Sequence, residues 1–267
     1  MLKLALGFLT ILAPPPSRQG EDFDRLGNNF WWAAPATESL CVAIPAGLCV
    51  LLHPFMPPGV LAVLFVGMDH IAHGLRRLDG FSDLGEAIFF RLSNPQKTCE
   101  EAWRVVRAPQ NGPYGTALIS LLLLAQVALV GVLLERGAIE FFLGTFYAAL
   151  FSKLGIAIAV AAPDRFRPAS DFGRFAQKAG TLRRLIPLAM IILVLSAGAA
   201  WALGRVVPIL FASLIVAVCA AGFLARRCVL RYLGELNGDV LGFGWAVSEL
   251  VVLILVNVMG GIKSGGR

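Results

Sequence analysis

The chain has 267 residues, of which 57% are apolar and only 15% charged. Soluble domains carry roughly 45–50% apolar residues, glycine included, and about 25% charged ones. Adding the 28 glycines widens the gap further, so a soluble globular domain, a disordered chain and a collagen-like repeat are all excluded. The apolar residues fall in long unbroken runs, not in the alternation of a membrane barrel. What remains is an all-α, polytopic integral membrane helical bundle. The five cysteines (Cys41, Cys49, Cys99, Cys219 and Cys228) include no CxxC pair and indicate neither a disulfide framework nor a zinc site.

In chain order, residues 1–13 are apolar but too short to cross a bilayer, and Pro14-Pro15-Pro16 stops them. A short N-terminal helix in the membrane interface is expected there, within a leading segment 1–29; no signal-peptide cleavage pattern follows it. Seven spans are expected, at 30–53, 59–75, 115–135, 138–161, 184–204, 206–225 and 239–260, in a single membrane domain over 1–267. The second is the shortest and carries Asp69, His70 and His73. Two long loops, 76–114 and 162–183, lie on the N-terminal side, whereas the connections opposite are short. No internal repeat suggests an inverted-repeat transporter.

The net charge is +6, and its distribution orients the chain. Of 23 Lys and Arg, 18 fall on the N-terminal side; Arg136, Arg205, Lys263 and Arg267 fall opposite, and Lys153 lies inside a span. The positive-inside rule makes the long-loop side cytoplasmic, so the expectation is a multi-pass cell-membrane protein whose chemistry faces the cytoplasm.

Three polar motifs interrupt the apolar pattern. The first is Leu78-Asp79-Gly80-Phe81-Ser82-Asp83-Leu84-Gly85-Glu86, in which helical spacing puts Asp79, Asp83 and Glu86 on one face. Clustered carboxylates repel unless a cation or a proton relieves them, and an all-oxygen set suits Mg²⁺; a solvated acidic face is the competing reading. The second, Gly234-Glu235-Leu236-Asn237-Gly238-Asp239-Val240-Leu241-Gly242, opens the last span. Asp239 there reads equally as a helix cap or as a further site carboxylate, and the glycines allow close backbone approach. The third, Arg107-Ala108-Pro109-Gln110-Asn111-Gly112-Pro113-Tyr114-Gly115, is a turn whose arginine could grip a phosphate. Inside the spans lie Glu38, Asp69, Lys153 and Glu249. Such residues face the bundle interior in pairs, and Lys153 and Glu249, both near mid-span, read either as an ion pair or as substrate ligands. His70 and His73 read as polar packing more readily than as a metal pair.

Taken together, Leu-Asp-Gly-x-x-Asp-x-x-Glu, Arg-x-x-x-x-Gly-x-x-Gly, Ser152-Lys153 and Gly238-Asp239-Val240-Leu241-Gly242 followed by Glu249 resemble the adenosylcobinamide-GDP ribazoletransferase (cobalamin synthase) family of prokaryotes. The stretch from Gly20 through Pro35 is loosely similar as well, and the resemblance covers most of the chain. It implies a Mg²⁺-dependent membrane transferase that joins adenosylcobinamide-GDP to α-ribazole or its 5′-phosphate. GMP leaves, and adenosylcobalamin or its phosphate forms. Asp79, Asp83, Glu86 and Asp239 would hold Mg²⁺, and Asp83 or Glu86 would take the nucleophile's proton. Arg77, Arg107, Lys153, Gly238 and Glu249 would bind substrate. The partners implied are these two precursors and the lipid bilayer, with no nucleic acid; a homo-oligomer is compatible. The chain departs from the family pattern at Arg77 and Tyr114 (each usually His), Glu86 (Asp), Ala108-Pro109 (Asp-Ser) and Ala246 (Glu), and Glu38 interrupts a Gly-rich stretch. A CDP-alcohol phosphotransferase fits less well, because Asp83-Leu84 occupies its Ala-Arg position. Two further functions are compatible with the sequence: a transporter using Asp69, Lys153 and Glu249 as an ion path, and a non-catalytic scaffold of the cobalamin pathway.

Overall fold

The computed structural model describes residues 2–11, 20–108, 110, 112–161, 165, 175–176, 178–179, 181–202 and 208–264. Ten helices account for nearly all of these: α1 (Leu2–Leu9), α2 (Gly20–Leu52), α3 (Pro58–Ala72), α4 (Arg76–Ser93), α5 (Cys99–Val106), α6 (Pro113–Arg136), α7 (Ala138–Ala159), α8 (Leu182–Ala202), α9 (Pro208–Leu233) and α10 (Asp239–Ser264). Six of them are long and apolar enough to cross a membrane, and the pair α3–α4, bent by 87°, is a seventh candidate. The chain is thus a polytopic helical membrane bundle, with span positions close to those expected.

Helix α7 is the central post, buried without interruption from Leu143 to Ala157. The outer helices present Leu121, Leu124, Met190, Val194, Val216 and Leu224 outward, as a lipid-facing surface requires. Glycine permits the closest approach: a Cβ on Gly222 of α9 would strike the backbone of Gly155 of α7. Helix ends expected on the same side of the membrane meet. His53 Nε2 lies 3.0 Å from the Leu134 carbonyl, and Arg136 lies against Gly260 of α10.

Tertiary contacts move several boundaries. Helix α2 begins ten residues before the apolar run, because Phe23, Leu26 and Phe30 form a stripe that buries against Phe8 and Phe175. Helix α1 is half-buried against this stripe, and Arg76 donates to its terminal carbonyls at Gly7 and Phe8. Helix α3 stops at Ala72, earlier than expected, because Gly74 and Leu75 both adopt positive φ (63° and 59°) and turn the chain. Its 15 residues rise only ~22 Å, short of a ~30 Å hydrocarbon core.

The expected loop 76–114 is mostly helix. Helix α4 is amphipathic, with Leu84, Ala87 and Ile88 inward. A capping box starts α5: Thr98 Oγ1 accepts from the Glu101 N–H at 3.2 Å, and Glu101 Oε2 accepts from the Thr98 N–H at 2.8 Å. Helix α9 runs eight residues past its apolar segment, its last carbonyls held by Trp103 Nε1 (3.0 Å to Leu233) and Arg91 Nε (3.2 Å to Tyr232). The expected loop 162–183 falls largely outside the described residues.

Candidate active site

Two motifs 160 residues apart meet where α4 crosses the start of α10. The crossing is backbone on backbone. A Cβ on Gly80 would stand 2.5 Å from the Asp239 carbonyl oxygen and 3.1 Å from Gly242 Cα, and one on Gly242 would stand 2.5 Å from the Arg76 carbonyl oxygen. Only glycine tolerates this at both positions. On one flank the rings of Phe81 and Phe243 stack at 5.6 Å. The crossing also gathers Asp79, Asp83 and Asp239, each of which offers a carboxylate oxygen within 4.8 Å of the others.

Asp79 and Asp239 occupy the first turns of their helices, where the positive end of the helix dipole offsets part of the repulsion. Asn237 Nδ2 donates to Asp239, fixing one of its oxygens. Helix α4, beyond the 87° bend, is amphipathic and is not itself one of the apolar spans. There, partial burial and then the neighbouring Asp79 and Asp239 carboxylates push the Asp83 carboxyl up to about 6. Three convergent hard oxygen ligands, none ion-paired with a protein cation among the described residues, are a donor set that fits Mg²⁺ or Mn²⁺.

Glu86 is not in this group. It shares a helix face with Asp79 but sits ~10 Å further along the axis, beyond the reach of Asp239. Its Oε2 accepts from the Gly115 N–H in the first turn of α6, and a Cβ on Gly112 would overlap its carboxylate. The third motif's glycines thus make room for an N-terminal cap supplied by another helix. Arg107 ends α5, half-exposed, with Glu100 Oε1 3.8 Å away. Gly238 lies immediately before α10, its carbonyl accepting from the Leu241 N–H at 3.1 Å. Pro109 and Asn111 lie outside the described residues.

The ionisable residues of the spans converge on a second cluster, inside the bundle. Arg77, 2% exposed, donates to both Asp69 of α3 and Glu249 of α10. Lys153, fully buried on α7, pairs with Glu38 of α2, not with Glu249 as its mid-span position suggests, and its Nζ lies 2.9 Å from the centre of the Trp245 ring. His73 joins the two halves: its Nε2 is 3.1 Å from Glu38, and its Nδ1 is 2.7 Å from the Asp69 carbonyl. His70 Nε2 sits 2.8 Å from Gln126 Oε1. Arg77, Lys153 and Glu249, expected to bind substrate, are therefore enclosed and each paired within this cluster. The sequence shows Lys153 and Glu249 in the spans and Arg77 at the edge of one, but not their pairing, which depends on the α3–α4 angle for Arg77 and on the rotation of α2 and α7 for Lys153.

Of the expected metal ligands, then, the structure gathers Asp79, Asp83 and Asp239. The glycine crossing that brings them together is the feature sequence reasoning missed; its signal is a glycine in each acidic motif.

No solved structure matches the chain. Curated relatives described as adenosylcobinamide-GDP ribazoletransferases do match. That of Corynebacterium efficiens is 31% identical over 259 residues, covering 95% of this chain and 90% of the relative. That of Deinococcus radiodurans is 30% identical over 254 residues, covering 94% and 83%, and that of Stutzerimonas stutzeri is 26% identical over 269 residues, covering 95% and 96%. The family model described as cobalamin-5-phosphate synthase matches residues 1–257, which include both acidic motifs, and the chain belongs to that family.

Proposed function

We propose that the chain is an adenosylcobinamide-GDP ribazoletransferase acting late in cobalamin biosynthesis. It transfers the phosphocobinamide group to α-ribazole, or to α-ribazole 5′-phosphate, with release of GMP. The observation that carries this reading is the convergence of Asp79, Asp83 and Asp239 from two distant motifs in a chain of this family.

Asp79, Asp83 and Asp239 would hold Mg²⁺ against the diphosphate. When bound, the ion supplies charge neutralisation on the transferring phosphoryl group. A ribazole hydroxyl attacks the phosphorus next to cobinamide, and the bond to the GMP phosphate breaks. The hydroxyl proton passes to a carboxylate. Asp83 is better suited than Glu86, since Glu86 is committed to the Gly115 N–H, while a carboxylate that gives one oxygen to a cation keeps the other. Arg107, in only a weak surface pair, is free to turn toward non-bridging oxygens. The location of 18 of 23 basic residues on this side supports a cytoplasmic site in the cell membrane.

Purified full-length chain with Mg²⁺ is expected to release GMP from adenosylcobinamide-GDP on addition of α-ribazole. GMP no greater than in a chelator-treated control would defeat the reading. The dependence on pH has a definite sign. Below about 6 Asp83 carries a proton that a cation must displace, so the half-saturating Mg²⁺ concentration should climb up to about tenfold per pH unit below 6 and stay flat above 7. Titrations of activity against Mg²⁺ at pH 5, 6, 7 and 8 check this; a flat profile would detach Asp83 from the ion.

A further inference from the structure

We propose that Arg77 is a positioning residue: its guanidinium, held between Asp69 of α3 and Glu249 of α10, pins the α3–α4 corner to α10 and thereby fixes Asp79 and Asp83 opposite Asp239. The inference rests on the cation reading of those three carboxylates. Where α4 crosses α10 the surfaces are glycine on glycine, with little side-chain relief to oppose sliding or rotation. Arg77 lies two residues before Asp79, and Glu249 lies ten residues after Asp239. A contact between them therefore closes a triangle with the crossing as its third corner. The fork of a guanidinium can serve two carboxylates on two helices at once, which an ammonium cannot do with the same geometry. The Trp245 ring, 4.8 Å from the guanidinium carbon, and His73, 3.1 Å from Nη2, close its remaining sides. On the outer side of the same corner, Arg76 holds the end of α1. Adjacent arginines thus hold the turn at Gly74 and Leu75 from both directions.

Removing Arg77 alone would leave two buried carboxylates uncompensated and risks unfolding the chain. The informative variant is therefore Arg77→Met combined with Asp69→Asn and Glu249→Gln, which removes the clamp and its charges together; Arg77→Lys is the conservative comparison. Two measurements on the full chain in nanodiscs, without substrate, read the outcome. The first is the rate at which a short bis-maleimide links Phe81→Cys to Phe243→Cys, followed by mass spectrometry of the linked peptides. The second is Mn²⁺ binding followed by electron paramagnetic resonance.

The clamp predicts linking at least about tenfold slower and an Mn²⁺ dissociation constant at least about tenfold higher in the triple variant, with Arg77→Lys in between. Unchanged linking and unchanged Mn²⁺ affinity, with only the KM for adenosylcobinamide-GDP raised, would overturn it and return Arg77 to a substrate contact. If the parent chain binds no Mn²⁺ while linking still slows in the variant, the clamp stands and the cation reading fails.

Discussion

Asp83→Asn is expected to cost at least about 10³-fold in turnover while leaving the chain as stable as before, or more so. The opposite signs follow from one geometry. Asp83 stands within a few ångströms of two other carboxylates, and its raised pKa records how unfavourable its charge is there in the absence of a cation. An amide of the same shape removes the repulsion, so the melting temperature in chelator should hold or rise. The same amide removes an anionic ligand and the proton acceptor from a reaction that depends on charge neutralisation. A loss of 10³ corresponds to about 4 kcal/mol of transition-state stabilisation. Thermal unfolding in detergent and GMP release together test the pair of signs. Turnover within tenfold of the parent would take Asp83 out of the site. A destabilised and inactive variant would mean that the carboxylate supports the fold instead. Glu86→Ala provides the contrast, since its loss uncaps α6 and should lower the melting temperature.

These expectations show which parts of the molecule a sequence can express. The spans are legible because hydropathy is a local property with a length set by the bilayer. The acidic triad is legible in part, since Asp79 and Asp83 are four apart on a helix and Asp239 opens another. What joins them is not, because a glycine in each motif permits a close crossing without naming the helix it meets. Helical phase draws Glu86 into the metal set because it counts angle and ignores distance along the axis. The place of Arg77 is hidden for a related reason. In sequence it is a basic residue at the edge of a span, the usual mark of a cytoplasmic loop. Only the turn at Gly74 and Leu75, both at positive φ, swings it beneath α3 and against α10. The pairing of Lys153 with Glu38 depends likewise on the rotation of α2 and α7 about their axes, which an all-apolar helix surface does not encode.

The crossing itself yields the second large effect. Gly80→Ala adds one methyl group, on paper a favourable change within a helix, usually a gain of about 0.4–1 kcal/mol. Here the methyl carbon would stand 2.5 Å from a backbone carbonyl oxygen and 3.1 Å from a backbone Cα, neither of which can rotate away. The helices must separate, carrying Asp79 and Asp83 away from Asp239. Turnover should fall by about 10²-fold or more, since misplacement of about 1 Å has that cost in a positioned site, and Gly242→Ala should match it from the opposite helix. Gly67→Ala, in α3 where a Cβ meets nothing within 4 Å, is the control and should leave turnover unchanged. Metal dependence distinguishes separation from general damage. A displaced triad needs more Mg²⁺ for the same fraction of its own maximal rate, whereas a partly unfolded population lowers the maximum without moving the midpoint. Full turnover in Gly80→Ala would mean that α4 and α10 need not touch for the three carboxylates to act together.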